Sequence, residues 1–136
     1  MTRSRFATLL VLVAGIAAGT GLDRALLAQP TITRNIVQRV DDPASSKHEL
    51  VMAVVDVPPG ATAGRHRHPG REIGYILEGS VVIDHDGRPS VTKKAGEHFD
   101  IDTTAVHNAT NKTKTPAKLM AIYLVEKGKP LAEPAK

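Results

Sequence analysis

Short β-forming runs, each ended by glycine or proline, constrain the fold of this chain more than any other feature of its sequence. The run Glu49 to Val57 is rich in valine and is closed by Pro58-Pro59-Gly60, a composition that favours a strand ended by a turn. After residue 28, no stretch repeats its apolar residues with the 3.6-residue period of an amphipathic helix. The sequence therefore predicts an all-β sandwich or barrel. The predicted strands are Glu49 to Val57, Ile73 to Leu77, Ser80 to Asp84, Ser90 to Lys93, Phe99 to Ile101 and Ala117 to Glu126, with a candidate edge strand at Thr31 to Val40.

Turn residues and prolines predict two further local features. Asp86-Gly87 stands between two of the predicted strands, and an Asp-Gly pair in that position is typical of a hairpin turn. The last ten residues, Lys127 to Lys136, contain two prolines. We expect this tail to be frayed, as chain ends commonly are.

The first 28 residues have the pattern of a targeting segment. Arg3 and Arg5 precede Phe6 to Leu22, which carry no charge over 17 residues, and small residues follow. This order is typical of a bacterial secretory signal peptide, although an apolar run of this length is also near the lower limit for an uncleaved membrane anchor. We therefore expect a signal peptide or anchor at residues 1–28 and a single domain at residues 29–136. The protein would be exported to the periplasm or the medium, and attached to the membrane only if the segment is not cleaved.

Charge and composition narrow the classes of function. Without residues 1–28 the chain has 15 basic and 13 acidic residues, so its formal net charge falls from +4 to +2. Aromatic residues make up 3% of the sequence, which leaves few side chains to stack on bases, and no nucleic-acid partner is expected. The chain contains no cysteine, which excludes a disulfide framework and a thiolate metal site. Any metal ion must be held by nitrogen and oxygen ligands.

Three candidate metal ligands, His66, His68 and Glu72, occur within seven residues. Side chains two apart in a strand project from the same face with their Cα atoms about 6.6 Å apart, so both imidazoles can converge on one ion at about 2.1 Å. Pro69-Gly70 is a turn signal that can return the chain toward the same point at Glu72. The same run would also suit a solvated edge strand, and these three residues alone leave both interpretations open.

A longer pattern contains the three candidate ligands. Gly60, His66, His68, Glu72 and Gly79 are separated by five, one, three and six residues. This spacing resembles the first motif of the cupin superfamily at every defining position.

A second segment resembles the second cupin motif. Gly96, His107 and Asn111 match its glycine, histidine and asparagine in spacing. Asp102 and Thr104 stand where that motif has proline and glycine, so the turn before His107 is expected to differ in shape.

The resemblance extends over roughly residues 51–125 and implies a cupin-type double-stranded β-helix, which is a small jelly-roll barrel. It also implies that His107 joins His66, His68 and Glu72 in holding one divalent metal ion. Three imidazoles and one carboxylate suit Fe, Mn, Ni, Zn or Cu. A metal that accepts five or six ligands would keep positions open for water or substrate.

Three classes of function remain open on this basis. The first is a metal-dependent enzyme on a small organic molecule, for instance a dioxygenase-like oxidoreductase, with Glu72 able to serve as both ligand and base. The second is a ligand-binding or sensory cupin without turnover, and the third is a structural or storage barrel. The fold does not choose among them, because function depends on the site.

A homodimer is also implied by the resemblance, because small cupins commonly pair through outer β-faces. Ile73, Tyr75 and Leu77 alternate away from Glu72 and form an apolar row that needs a cover. The strand at Thr31 to Val40 is expected to supply that cover, from the same chain or from a partner.

Four other residues carry simpler expectations. Gly74 shares a strand face with Glu72 and is expected to leave space near the ion. His98 is expected to face outward, Asn111 to cap a turn, and Tyr123 to be available to line a pocket.

Overall fold

The computed structural model of the protein describes residues 30–136, so the predicted targeting segment lies outside the described residues. Residues 30–136 form ten β-strands and no helix, and none of them belongs to a helix long and apolar enough to cross a membrane. The strands are β1 (Thr33–Asp41), β2 (His48–Val57), β3 (His66–Arg67), β4 (Gly70–Glu78), β5 (Ser80–His85), β6 (Arg88–Lys94), β7 (His98–Ile101), β8 (His107–Thr110), β9 (Ala117–Glu126) and β10 (Glu133–Pro134). The predicted all-β class is confirmed.

The strands form two antiparallel sheets of five strands each. The first sheet has the order β1-β2-β9-β4-β7, and the second has the order β10-β3-β8-β5-β6. Strands that are distant in sequence are neighbours in both sheets, as in a jelly roll. In β2 and β9 almost every second residue is buried, because one face of each sheet packs against the other. The architecture is the double-stranded β-helix that the resemblance to the cupin superfamily implies.

Buried apolar side chains from both sheets fill the space between them. β2 and β9 contribute most of these side chains and pair with each other along their whole length. The strong β-forming runs of the sequence are therefore also the centre of the core, which is why their boundaries are predicted well; β9 matches its predicted range. The buried core residues are Val51, Ala53, Val55, Val57, Ala61, Ile76, Val81, Ile83, Phe99, Ile101, Ala117, Leu119, Ala121, Tyr123 and Val125.

Two glycines let β4 approach its neighbours closely. A Cβ atom on Gly70 would lie 2.0 Å from the carbonyl oxygen of Leu124, so no larger residue fits there without a shift of the backbone. A Cβ atom on Gly74 would lie 2.1 Å from the ring of Phe99. The expectation that Gly74 leaves space near a metal ion is wrong, because the Phe99 ring fills that space.

Two turns shape the second sheet. The predicted hairpin at Asp86-Gly87 joins β5 to β6, and Gly87 has a φ of 76°. Before β8, Thr104 has a φ of 62°, a left-handed conformation that costs a residue with a side chain on the order of 1 kcal/mol or more. The N–H of Thr104 donates to the carbonyl of His68 at 3.3 Å. Thr104 therefore has a backbone conformation that glycine adopts more readily.

The C-terminal segment 127–136 folds back along the second sheet. In β10, Glu133 lies opposite Arg67 of β3, and the N–H of Ala135 donates to the carbonyl of Arg65 at 2.9 Å. The structure thus places a paired strand within the tail that the sequence predicts to be frayed. Prolines remove hydrogen-bond donors, but an edge strand needs pairing on one side only and so tolerates them.

The outward apolar row of β4 is uncovered within residues 30–136. Ile73, Tyr75 and Leu77 are exposed by 48%, 47% and 38%. The predicted edge strand is present as β1, but it extends the first sheet beside β2 and does not lie over β4.

Candidate metal centre

Three buried histidines converge between the two sheets. His66 of β3 and His107 of β8 are directly opposite each other in adjacent strands, and His68 follows at the bend between β3 and β4. The side chains of all three are almost completely buried, and each offers one ligand atom within 4.8 Å of the other two. The three histidines can therefore hold one metal ion.

A backbone carbonyl orients each of the three imidazoles. The Nδ1 of His66 lies 2.8 Å from the carbonyl of Gly64, and that of His107 lies 3.1 Å from the carbonyl of Ala105. A carbonyl oxygen can only accept, so in each case Nδ1 carries the proton and donates. In the neutral ring, Nε2 then keeps its lone pair for another partner.

His68 is oriented by the C-terminal segment. Its Nδ1 donates to the carbonyl of Leu131 at 2.5 Å, and β10 follows two residues later. This is the outer-shell hydrogen bond that metal-binding histidines usually make, and it comes from a part of the chain expected to fray.

Glu72 reaches the same point from the opposite sheet. Its Oε2 lies 3.0 Å from Nε2 of His68 and 3.2 Å from Nε2 of His107. With both rings protonated on Nδ1, three acceptor atoms face one another, and neither His68 Nε2 nor Glu72 Oε2 has a hydrogen-bond partner among the described residues. Buried polar atoms rarely remain unpaired, so the arrangement calls for a cation or for additional protons.

The distances suit a cation. Two neighbouring ligands that each lie about 2.1 Å from one ion at right angles are about 3.0 Å apart. The Glu72 contacts of 3.0 and 3.2 Å agree with that spacing. A nitrogen and oxygen donor set of this kind therefore fits a divalent transition metal.

The protonation states also suit metal ligands. Burial alone would raise the pKa of Glu72, but when protons occupy the Nε2 atoms of His107 and His68, hydrogen bonds and charge from these rings outweigh burial and lower the pKa to about 2. Burial lowers the pKa of His66 to about 4, assisted by the neighbouring His107 and His68, while the hydrogen bond to Gly64 acts in the opposite direction. Near neutral pH, Glu72 is thus ionised and His66 is neutral, which are the forms that bind metals.

Tyr123 and Arg34 extend the polar centre toward solvent. Tyr123 lies opposite Glu72 in the adjacent strand, and its ring centroid is 4.8 Å from that of His68. Burial raises the pKa of the Tyr123 hydroxyl, and the charge of Glu72 raises it further. The Nε of Arg34 donates to this hydroxyl at 3.1 Å.

A cavity of about 30 Å³ opens onto the centre. Its polar lining consists of His66, Glu72, His107, Tyr123 and Arg34, and the remaining lining is apolar. One water needs about 10–15 Å³ by this measure. The cavity is therefore suited to a molecule of few heavy atoms.

The sequence-predicted residues are placed as follows. His66, His68, Glu72 and His107 come together at one point. His98 is on the exposed face of β7.

Asn111 and Tyr123 also occupy the roles expected of them. The buried Asn111 donates to the carbonyls of Val57 and Thr115, so it caps a turn and does not enter the site. Tyr123 lines the cavity.

Sequence reasoning missed two contributors, Arg34 and the carbonyl of Leu131. Arg34 of β1 shares the face toward the cavity with Ile32, which lies two residues earlier and just before the strand, and this alternation was a signal available in the sequence. A backbone carbonyl has no such signature.

Comparison with known proteins identifies the family. The sequence model of the cupin domain matches residues 53–123 of the chain, which is more than half of it and includes all four converging side chains. The chain belongs to the cupin family. The matched part of this cupin contains β3, β4 and β8, the strands that carry or flank the four side chains.

Individual relatives add chemical context. The cupin is 34% identical over 76 residues to an oxalate-binding protein of Thermotoga maritima, a match that spans 55% of this chain and 62% of that protein. A solved structure of oxalate oxidase in complex with the substrate analogue glycolate is 30% identical, with a TM-score of 0.52 over 54% of this chain and 41% of the other.

A third similarity concerns the fold alone. An uncharacterised double-stranded β-helix protein of Klebsiella pneumoniae is 21% identical, with a TM-score of 0.62 over 76% of this chain and 85% of that chain.

Proposed function

We propose that this cupin binds one divalent transition-metal ion through His66, His68, Glu72 and His107, and binds a small carboxylate at that ion. The observation that carries the proposal is the convergence of the Nε2 atoms of His68 and His107 on one oxygen of Glu72 at 3.0 and 3.2 Å, while a backbone carbonyl faces the Nδ1 atom of each ring. Three neutral imidazoles and one carboxylate leave a divalent ion with one net positive charge. That charge favours an anionic ligand.

The identity of the ion is limited by the donor atoms. Nitrogen and oxygen ligands without sulfur suit Fe, Mn, Ni, Zn or Cu. When bound, such an ion acts as a Lewis acid that polarises the oxygen atoms of its ligand. Glu72 serves as a metal ligand in this proposal and not as a base, because its Oε2 atom, which faces the two imidazoles, would be bound to the ion.

The relatives, the size of the cavity and the charge at its edge support a small carboxylate as the ligand. The Thermotoga maritima relative is an oxalate-binding protein, and the oxalate oxidase structure holds glycolate as a substrate analogue. The small cavity suits a molecule of few heavy atoms, and an arginine at its edge adds positive charge.

The first candidate is a protein that binds a small carboxylate without turnover. The 34% identity to an oxalate-binding protein favours this candidate. An oxidoreductase acting on such an acid is the second candidate, favoured by the 30% identity to oxalate oxidase. Protein loaded with each metal in turn is incubated with oxalate in air, and oxalate and oxygen are followed with time. A binding protein retains about one oxalate per chain without consuming either, whereas an enzyme consumes many equivalents.

Titration calorimetry of oxalate into metal-loaded and metal-stripped protein tests the shared part of both candidates. We expect saturable binding only in the metal-loaded form. Equal binding by the metal-stripped form would contradict a metal-dependent site.

Export and dimer formation complete the proposal. The charge pattern of residues 1–28 supports a secreted or periplasmic protein, and mass spectrometry of the N-terminus after expression in a bacterial host tests cleavage.

The exposed row of Ile73, Tyr75 and Leu77 supports a homodimer through the outer face of the first sheet. Sedimentation of wild-type protein and of Tyr75→Ser tests this arrangement, which predicts that the variant dissociates more readily.

A further inference from the structure

We propose that Arg34 binds the carboxylate group of the ligand that lies away from the metal ion, and that it thereby selects dicarboxylates over monocarboxylates. This inference rests on the proposed function, because it assumes a carboxylate ligand at the metal. It assigns a specificity-determining role to a residue that lies outside residues 53–123, the range that matches the cupin domain.

Arg34 is located where the cavity meets the surface. It lies on β1 opposite Val55 of β2, and it lines both the cavity at the candidate metal centre and an outer groove of about 330 Å³. His66 also lines both spaces, so the groove leads to the centre. A ligand at the centre that extends toward the groove therefore lies beside the guanidinium.

The hydrogen bonds of Arg34 leave its outer nitrogens available. Its Nε donates to the hydroxyl of Tyr123, and its Cζ lies 5.8 Å from the centroid of that ring. This pair of contacts fixes the orientation of the guanidinium. The two Nη groups have no acceptor among residues 30–136, and a guanidinium fork of this kind is suited to bind a carboxylate with two hydrogen bonds.

Neighbouring arginines differ from Arg34 in this respect. Arg39, on the same strand, forms an ion pair with Glu49 at 2.6 Å. Arg65, which also lines the groove, is bound to Asp86 by two hydrogen bonds of 2.8 and 2.7 Å. Within the described part of the chain, Arg34 has no carboxylate within ion-pair distance and is half-buried. A half-buried, unpaired cation beside an anion-binding centre indicates that its partner is the ligand itself.

The charges agree with a dianion. A divalent ion with one carboxylate ligand has one net positive charge, and Arg34 adds a second. A dicarboxylate such as oxalate would neutralise both, with one carboxylate at the metal and the other at the guanidinium. A monocarboxylate needs only the metal, so its affinity should depend little on Arg34.

The test compares ligand selectivity in metal-loaded variants. Oxalate and glycolate are each titrated by calorimetry into wild-type protein, Arg34→Gln and Arg34→Lys, with Arg39→Gln as the control from the same strand. Metal content is measured after each titration, because oxalate itself chelates metals. The Kd of each apo-protein for the metal is measured separately.

We expect Arg34→Gln to weaken oxalate binding by about 10- to 100-fold, which corresponds to the loss of a charged hydrogen bond, and glycolate binding by less than about threefold. Arg34→Lys should recover part of the oxalate affinity, because it restores the charge without the fork. Arg39→Gln should match wild type for both acids, and the metal Kd should be the same in all four proteins.

Two outcomes would overturn the assignment. Wild-type oxalate affinity in Arg34→Gln would show that Arg34 does not contact the ligand. An equal loss for oxalate and glycolate would show a general structural effect without selectivity. If wild-type protein binds neither acid, the proposed function itself fails. A failure of the Arg34 assignment alone looks different, because wild-type protein then binds oxalate.

Discussion

Ending the chain at Pro130 should weaken metal binding without unfolding the barrel. The deletion removes the carbonyl of Leu131, which accepts a 2.5 Å hydrogen bond from Nδ1 of His68. It also removes β10, which pairs with β3 next to His66. His68 would lose the contact that fixes its ring and keeps the Nε2 lone pair directed at the centre.

The magnitude follows from the role of that hydrogen bond. Loss of an outer-shell partner of a metal-binding histidine typically lowers metal affinity 10- to 100-fold, which corresponds to about 1.4–2.7 kcal/mol. The half-buried side chain of Leu131 packs against the core, so its loss should also lower the stability of the apo-protein by about 1–2 kcal/mol. The core between β2 and β9 is untouched, and the shortened chain should still fold.

Competition with a chromophoric chelator measures the metal Kd, and thermal unfolding of metal-stripped protein measures the separate effect on stability. A chain that ends at Pro134 is the matched control, because it keeps Leu131 and β10 and should bind metal like wild type. An unchanged metal Kd in the folded Pro130 variant would refute the proposed role of the tail in orienting His68.

Three further predictions concern single positions. Glu72→Gln should lower metal affinity by more than the 10- to 100-fold typical of an outer-shell change. The apo-protein should remain stable in thermal unfolding, because the amide can donate to the Nε2 atoms that Glu72 faces. A marked loss of apo stability would contradict this prediction. Gly74→Ala should destabilise the protein by about 1–3 kcal/mol through overlap with Phe99, and Phe99→Leu in the same chain should recover part of the loss. The urea midpoint of the apo-protein should fall as the pH drops from 6.5 to 4, because unfolded His66 takes up a proton with its ordinary pKa of 6.5 while folded His66 does so only at about 4. Glu72 should extend the loss between pH 4.5 and 2, because its folded pKa is depressed from 4.5 to about 2, and a midpoint that stays constant from pH 6.5 to 4 would contradict the role of His66.

The parts of the site that could be predicted from sequence depend on local spacing. His66 and His68 share a strand face by alternation, and Pro69-Gly70 turns the chain so that Glu72 enters the opposite sheet. These relations span only seven residues, so they need no knowledge of the tertiary fold. His107 is 35 residues from Glu72 in sequence, and only the resemblance to the cupin motifs connected the two.

The parts that could not be predicted depend on contacts between distant segments. Arg34 meets Tyr123 across 89 residues, and His68 meets the carbonyl of Leu131 across 63. No local pattern determines which backbone carbonyl faces a given side chain. Gly74 was misassigned for the same reason, because its space is occupied by Phe99 from a neighbouring strand.

Metal content tests the central claim most directly. Wild-type protein, the double variant His66→Ala/His107→Ala and the control His98→Ala are stripped with chelator, reloaded with Mn, Fe, Ni, Zn or Cu, desalted and analysed for metal per chain. We predict about one ion per chain for wild type and His98→Ala with at least one of these metals, and almost none for the double variant. Full occupancy in the double variant, or no retained metal in wild type, would contradict a site built from His66, His68, Glu72 and His107.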